Sequence, residues 1–319
     1  IMIRCELDAL PIEEPNSFDY RSIHPGVSHK CGHDGHMAIV AGLIFWIKEQ
    51  DIQSGKIILL FQPSEENGEG AHAVLNDPKF NELKPDFIFA LHNIPGQPIH
   101  SIISVSNNFS ASVQSLAVYL KGKEAHASEP ENGINPAQAI AEIIAEFNKL
   151  NIPDPYDKNF AVLTPVCIKM GKQAYGISAG SGELHFTFRT WSEKETDKLK
   201  NKIRQLLIRV CEDHKLSSTT EWFDYFPTAE NDTYCNELVR KAAELNGFDL
   251  REKPYPFKFG EDFGWFSQNQ KAAMFGLGAG SDSPALHHAE YDFPEEVIQT
   301  GIDMFTTIID LVLRTNHLA

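Results

Sequence analysis

The run GKIILLFQ, residues 55–62, is apolar through its middle, opens on glycine and is followed by proline. A short run without polar alternation predicts a strand covered on both faces, as in the parallel sheet of an α/β protein. DFIFALH (86–92) and AAMFGLG (272–278) share that character, and Ile1–Leu7 reads as a further strand. His36–Glu49, 231–246 and Glu295–Leu313 read as helices between and after them. Strands alternating with helices predict a parallel sheet covered by helices on both sides.

The pattern changes after Ser106-Asn107-Asn108. SVQSLAVYLKG (112–122) alternates like a half-exposed strand. A helix is expected at Pro136–Leu150, opened by Asn135-Pro136. Strands follow near Phe160–Met170 and Gly182–Thr190, then a helix from Ser192 to about His214, with Ser192 as N-cap and Glu195 three residues on. This is a small α+β unit inserted into a discontinuous larger domain. The expected boundaries are 1–108 and 223–319 for the larger domain and 109–222 for the insert.

A chain of 319 residues, 42% hydrophobic, is long enough for two cores. Its net charge of −16 argues against a nucleic-acid partner, which needs clustered Lys and Arg. Five scattered cysteines suit reduced thiols, and a cytoplasmic location is expected. No stretch reaches the length of a membrane span. The chain opens in mid-strand, so an N-terminal segment of the larger domain is expected before Ile1.

Residues able to bind metal recur where the elements end. SHKCGHDGH (28–36) leads into a helix with Cys31 and His33; PSEENGEG (63–70) follows a strand with Glu65 and Glu66. His92 ends another strand, and His287 lies in SPALHHAEYDF after a glycine-rich loop. Thiolate, imidazole and carboxylate together suit zinc, or manganese, cobalt and nickel. Five ligands exceed a single tetrahedral site and suit two ions about 3.5–4 Å apart. Glu66 would bind metal while Glu65 takes a proton from water. The same residues also fit a solvated acidic loop and hydrogen-bonded histidines, as His36 is expected to be; His29 and His288 are expected to be neighbours rather than ligands. Spacing alone does not separate the two.

The motifs taken in order do. RCELDALP (4–11), HKCGHDGH (29–36), FQPSEENGEGA (61–71), LHN (91–93), GKEAHA (122–127), GEDF (260–263), GLGAG (276–280) and LHHAEYDF (286–293) resemble the amidohydrolase branch of the aminoacylase and carboxypeptidase-type metallopeptidases. That branch includes auxin-conjugate hydrolases, hippurate hydrolases and N-acetyl-diaminopimelate deacetylases. The resemblance implies a catalytic α/β domain with a mixed, largely parallel sheet, interrupted by an α+β lid domain that forms a homodimer. It implies Cys31, His33, Glu66, His92 and His287 as ligands of two divalent ions, with Cys31 bridging and Asp8 orienting from behind. Zinc or manganese leads, with nickel or cobalt as alternatives. Glu65 becomes the general base and later the proton donor, and His126 in the lid binds the substrate's scissile carbonyl.

The implied reaction is metal-dependent hydrolysis of small N-acyl amino acids to a carboxylic acid and a free amino acid. A dipeptidase or carboxypeptidase acting on short peptides, and a non-catalytic binder of amino-acid conjugates, are the alternatives. Two positions depart from the family pattern. Gly176 stands where an asparagine associated with substrate binding is usual, and Glu6 where aspartate is.

Overall fold

The computed structural model describes residues 1–315. In chain order the elements are β1 (Met2–Glu6), α1 (His33–Glu49), β2 (Ile58–Gln62), α2 (Gly70–Asn76), α3 (Pro78–Leu83), β3 (Phe87–Ile94), β4 (Ile102–Val105), β5 (Ser112–Lys121), β6 (Ala125–His126), α4 (Ala137–Asn148), β7 (Ala161–Met170), β8 (Ile177–Ser178), β9 (Ser181–Thr190), α5 (Glu193–Asp213), β10 (Ser217–Phe226), α6 (Thr233–Asn246), β11 (Leu250–Lys253), α7 (Gly264–Ser267), β12 (Lys271–Gly278) and α8 (Ile298–Thr315). They fall into two compact units. One comprises Ile1–Ser110, Ala229–Phe257 and the chain from Glu261 on; the other comprises Ala111–Thr228 with Lys258–Gly260. Among the described residues no helix is long and apolar enough to cross a membrane.

The first unit is built on a six-stranded sheet in the order β11-β4-β12-β3-β1-β2. Its neighbours run parallel except β12 and β4. Along β1 the side chains alternate between faces. Ile1, Ile3 and Cys5 join the core with Phe89 and Leu91 of β3, Phe275 and Leu277 of β12, and the apolar stripes of α1, α6 and α8. Met2, Arg4 and Glu6 take the opposite face, and all are buried. The parallel register sets Glu6 level with Gln62 and Arg4 level with Ala90. The carboxyl ends of β1, β2 and β3 therefore finish side by side, where open α/β sheets carry their ligand sites.

The second unit is a four-stranded antiparallel sheet, β10-β5-β9-β7, with a two-stranded β6-β8 ribbon beside it. Leu116, Val118, Leu184, Phe186 and Phe188 face α4 and α5, which bury Ile143, Phe147, Leu199, Ile203 and Leu207 against them. Ser192 caps α5 as the sequence predicts, accepting from the Glu195 N–H. The opposite sheet face, with Thr164, His185 and Tyr119, is partly open to solvent.

Three sequence expectations need correction. The run 55–62 is not covered on both faces: only 58–62 forms β2, at the sheet's edge, and Ile58–Phe61 are half-buried. A continuous apolar run does not distinguish a central strand from an edge one. The first helix starts at His33, a turn earlier than expected, because Gly32 in the left-handed region (φ 87°) turns the chain into it. Finally, β4, β6, β8, β10 and β11 and the short helices α2, α3 and α7 have no counterpart among the expected elements. β10 is exposed over most of its length, so its sequence lacks the apolar alternation that marks a half-buried strand.

Phe305 is fully buried in the α8 stripe against Phe275, with ring centroids 5.5 Å apart. Phe305→Ala is expected to destabilise the protein by about 3–5 kcal/mol, read as a lower urea midpoint at unchanged slope.

Candidate metal centre

The site grows from local chain geometry. After β2, Ser64 takes φ 57° and Gly68 φ 76°, so residues 63–70 fold back on themselves. The Gly70 N–H donates to the Ser64 carbonyl at 3.0 Å, and a Cβ at Gly70 would strike the Pro63 carbonyl oxygen. This closed loop presents Glu65 and Glu66, with Glu65 buried. The Glu66 N–H is held by Asp8 Oδ2 at 3.0 Å. Across from it, Gly32 packs so tightly on the Asn93 side chain that any Cβ would lie within 2.8 Å of it. Cys31 and the first turn of α1 are thereby brought to the end of β3.

Each buried histidine has one nitrogen tied down. His33 Nδ1 lies 3.0 Å from the Asp8 carbonyl oxygen, and His92 Nδ1 lies 2.9 Å from that of Asn93. A carbonyl only accepts, so both Nδ1 atoms carry hydrogen; His92 Nε2 turns a lone pair to the interior, and His33 Nε2 does so once its own proton is displaced. His33 Nε2 lies 3.9 Å from Glu65 Oε2 and 3.9 Å from Glu66 Oε1; His92 Nε2 lies 3.6 Å from Cys31 Sγ. His287 Nε2 approaches Glu66 Oε2 at 3.5 Å. The His287 backbone is held at φ 66°, an unusual conformation for a residue with a side chain, and its N–H donates to the Lys30 carbonyl at 2.8 Å.

Three sets of donor atoms each lie within 4.8 Å of one another: Cys31–His33–His92, Cys31–Glu66–His287 and His33–Glu65–Glu66. Cys31 belongs to two of them. The residues fit an ion on one observation above all. His33 Nε2 and Glu66 Oε1 are buried without a hydrogen-bond partner, and they face each other at 3.9 Å. That gap is too long for a hydrogen bond and about twice a metal–ligand bond of ~2.0–2.2 Å. The set Glu6–His33–His36 is already satisfied: Glu6 Oε2 meets His36 Nδ1 at 2.7 Å, and His36 Nε2 accepts the Asn93 N–H at 3.1 Å. His36 is hydrogen-bonded as the sequence suggests.

The electrostatics favour positive charge. Burial pushes the His33 pKa down, but the Asp8 hydrogen bond and the Glu6 and Glu66 charges outweigh it and bring it up to about 9. His92 goes the other way, to about 3, through burial and the neighbouring His36, so its imidazole stays neutral as a ligand requires. The Cys31 thiol is pushed up by burial and by Glu66 and Glu65; a thiolate there needs an adjacent cation. Glu65 is pushed well above the usual carboxylate range by burial, Glu261 and Asp262, against the pull of Arg4.

His126 is not part of this cluster. It sits in the second unit, exposed on β6 opposite Ile177 of β8, with Nδ1 2.7 Å from Ser128 Oγ. Gly176 accepts from the Ala127 N–H at 2.9 Å, and a Cβ there would meet nothing within 4 Å. Space for the family's asparagine therefore exists beside His126. Arg4, Gln62, Glu261 and Asp262, none of them an expected site residue, form a buried polar floor under Glu65. The signal was present in RCELD and GEDF, as charged residues inside otherwise apolar strands and turns.

Residues 2–311 match Peptidase family M20/M25/M40. The chain belongs to this family. It is 30% identical over 299 residues to N-acetyl-L-cysteine deacetylase of Bacillus subtilis, covering 93% of this chain and 71% of that protein. It is 30% identical over 307 residues to N-acetyldiaminopimelate deacetylase of Priestia megaterium, covering 95% and 80%. A dinuclear metal-binding M20 peptidase of Bacillus subtilis superposes with a TM-score of 0.84 at 25% identity, covering 99% of this chain and 82% of that one. The expected family, its α/β fold and its metallopeptidase-type amide hydrolysis are those of the M20 chain described here.

Proposed function

We propose that this M20 protein hydrolyses the amide bond of small N-acyl amino acids, with two divalent ions held by Cys31, His33, Glu66, His92 and His287. What supports the ligand set is the pair of buried polar atoms without a hydrogen-bond partner, His33 Nε2 and Glu66 Oε1. The recurrence of Cys31 in two donor sets supports its bridging role. The mixed thiolate, imidazole and carboxylate donors suit zinc or manganese foremost, with cobalt or nickel as alternatives. The deacetylase names of the relatives favour a short acyl group.

When bound, the ions supply Lewis-acid chemistry, lowering the pKa of a water in the site and polarising the acyl carbonyl. The residues of the chain do the rest. Glu65 Oε2, facing His33 at 3.9 Å, accepts the proton of the attacking water and returns it to the leaving nitrogen. Its raised affinity for protons matches that two-way task. Asp8 holds His33 through its carbonyl and the Glu66 N–H through its carboxylate, fixing two ligands at once. His126, exposed on β6, is the proposed substrate-binding residue.

That unit also supports a homodimer. β7 ends its sheet and exposes Val166, Ile168 and Met170; a free edge with apolar side chains is a template for another strand. We place its pairing with a second copy there, in a reducing cytoplasmic compartment that suits the five free cysteines.

The decisive experiment strips the protein of metal, restores manganese, zinc, cobalt or nickel singly, and measures amino-acid release from N-acetyl, N-benzoyl and indole-acyl amino acids. Release that requires added ion is expected; none with any ion would leave a conjugate-binding protein. Glu65→Gln should keep its ions while turnover falls by about 10²–10⁴-fold, whereas Cys31→Ala should lose ion, and full occupancy by elemental analysis would sink the Cys31 assignment. His126→Ala should weaken kcat/KM at unchanged ion content. Ile168→Lys is expected to yield monomers in sedimentation runs; an unaltered dimer would move the seam elsewhere.

A further inference from the structure

Neither carboxylate of GEDF (260–263) is a ligand in that reading, yet both are buried beside Glu65. Asp262 makes an unusual set of contacts. Its Oδ1 accepts from Arg4 Nη2 at 2.6 Å and Gln62 Nε2 at 2.9 Å. Its Oδ2 accepts from Gln62 Nε2 at 2.7 Å and from the Ala71 N–H at 2.8 Å. Gln62 and Ala71 are the two ends of the loop that carries Glu65 and Glu66. Between them, the Asp262 backbone N–H donates to Glu65 Oε1 at 3.3 Å.

We infer that Asp262 is the positioning residue of Glu65, closing the 62–71 loop with its side chain and orienting the Glu65 carboxylate with its backbone N–H. The inference rests on the reading of Glu65 as the proton carrier. Three carboxylates lie together here, those of Glu65, Glu261 and Asp262, and their repulsion would turn Glu65 away if nothing held it. The Asp262 N–H fixes Oε1 and leaves Oε2 on the side of His33. That N–H survives any side-chain substitution, but its place depends on the four hydrogen bonds that anchor the side chain.

Only a carboxylate accepts all four. An asparagine would turn its NH₂ toward either Arg4 and Gln62 or Gln62 and Ala71, donor against donor in both orientations. In manganese-loaded protein, Asp262→Asn is therefore expected to lower kcat roughly 10–100-fold, with KM and the manganese content per chain close to wild type. Adding Gln62→Glu places a carboxylate opposite the new amide and should recover part of the lost kcat. Should Asp262→Asn not fold, Gln62→Met removes the Gln62 bonds to Asp262 and to Arg4 Nε while leaving the Asp262 carboxylate in place, and should show a smaller kcat loss at full ion content. Wild-type kcat in Asp262→Asn, manganese lost in step with kcat, or a further loss on adding Gln62→Glu would each overturn the inference. Glu65→Gln separates the two ideas. If it is inactive while Asp262→Asn is fully active, only the positioning role falls; if it keeps wild-type turnover, both fall.

Discussion

Arg4 carries the site. Its guanidinium is wholly buried on the face of β1 opposite the apolar core, and its N–H groups reach Glu6, Gln62, Glu261 and Asp262. These acceptors come from two neighbouring strand ends and from a loop some two hundred residues further on. Burial alone would lower the Arg4 pKa, but Glu6, Glu261 and Asp262 outweigh it and hold the side chain charged. A fully buried charge is tolerable only when it is paired and hydrogen-bonded throughout. Removing Arg4 would leave these buried carboxylates without their cation, at a cost of about 3–5 kcal/mol.

One guanidinium does not balance what surrounds it. Glu6, Glu65, Glu261 and Asp262 are all buried around it, with Glu66 and Asp8 a short step away. Glu6 ionises readily despite its burial because Arg4 and His36 lie against it. Glu261 lacks that second partner and is pushed up to about 7, chiefly by burial. The remaining negative potential falls on the side where His33, His92 and Cys31 turn their ligand atoms inward. The same excess of carboxylate thus favours cations at one edge of the cluster and a proton on Glu65 at the other. Ion binding and proton transfer are two consequences of one buried charge distribution.

Backbone conformation sets how close these groups come. Gly32 lets Cys31 and His33 turn onto Asn93, and Gly70 lets the acidic loop close over Pro63. His287 keeps its side chain while taking the left-handed conformation, held there by its bond to the Lys30 carbonyl. Gly32 and His287 take the left-handed backbone, whereas Gly70 is fixed by the lack of room for a side chain against Pro63.

Much of this is legible in the order of residues. Apolar periodicity reports burial, so the principal strands and helices of both units could be read, as could the Ser192 cap, whose bond to Glu195 is local. Cys31, His33, Glu65, Glu66, His92 and His287 are candidate ligands by their places at element ends, but it is the resemblance of the ordered motifs, not their spacing, that implies a metal-binding set. What the residues are, and which elements carry them, is thus decided by local chemistry. Which strand lies at an edge is not, as the half-buried edge strand β2 shows. Nor does local order join Arg4 to Asp262 or leave His33 Nε2 and Glu66 Oε1 facing each other without partners. Those relations are set by sheet order and loop closure, through contacts between residues tens to hundreds of positions apart, and only the folded chain decides them.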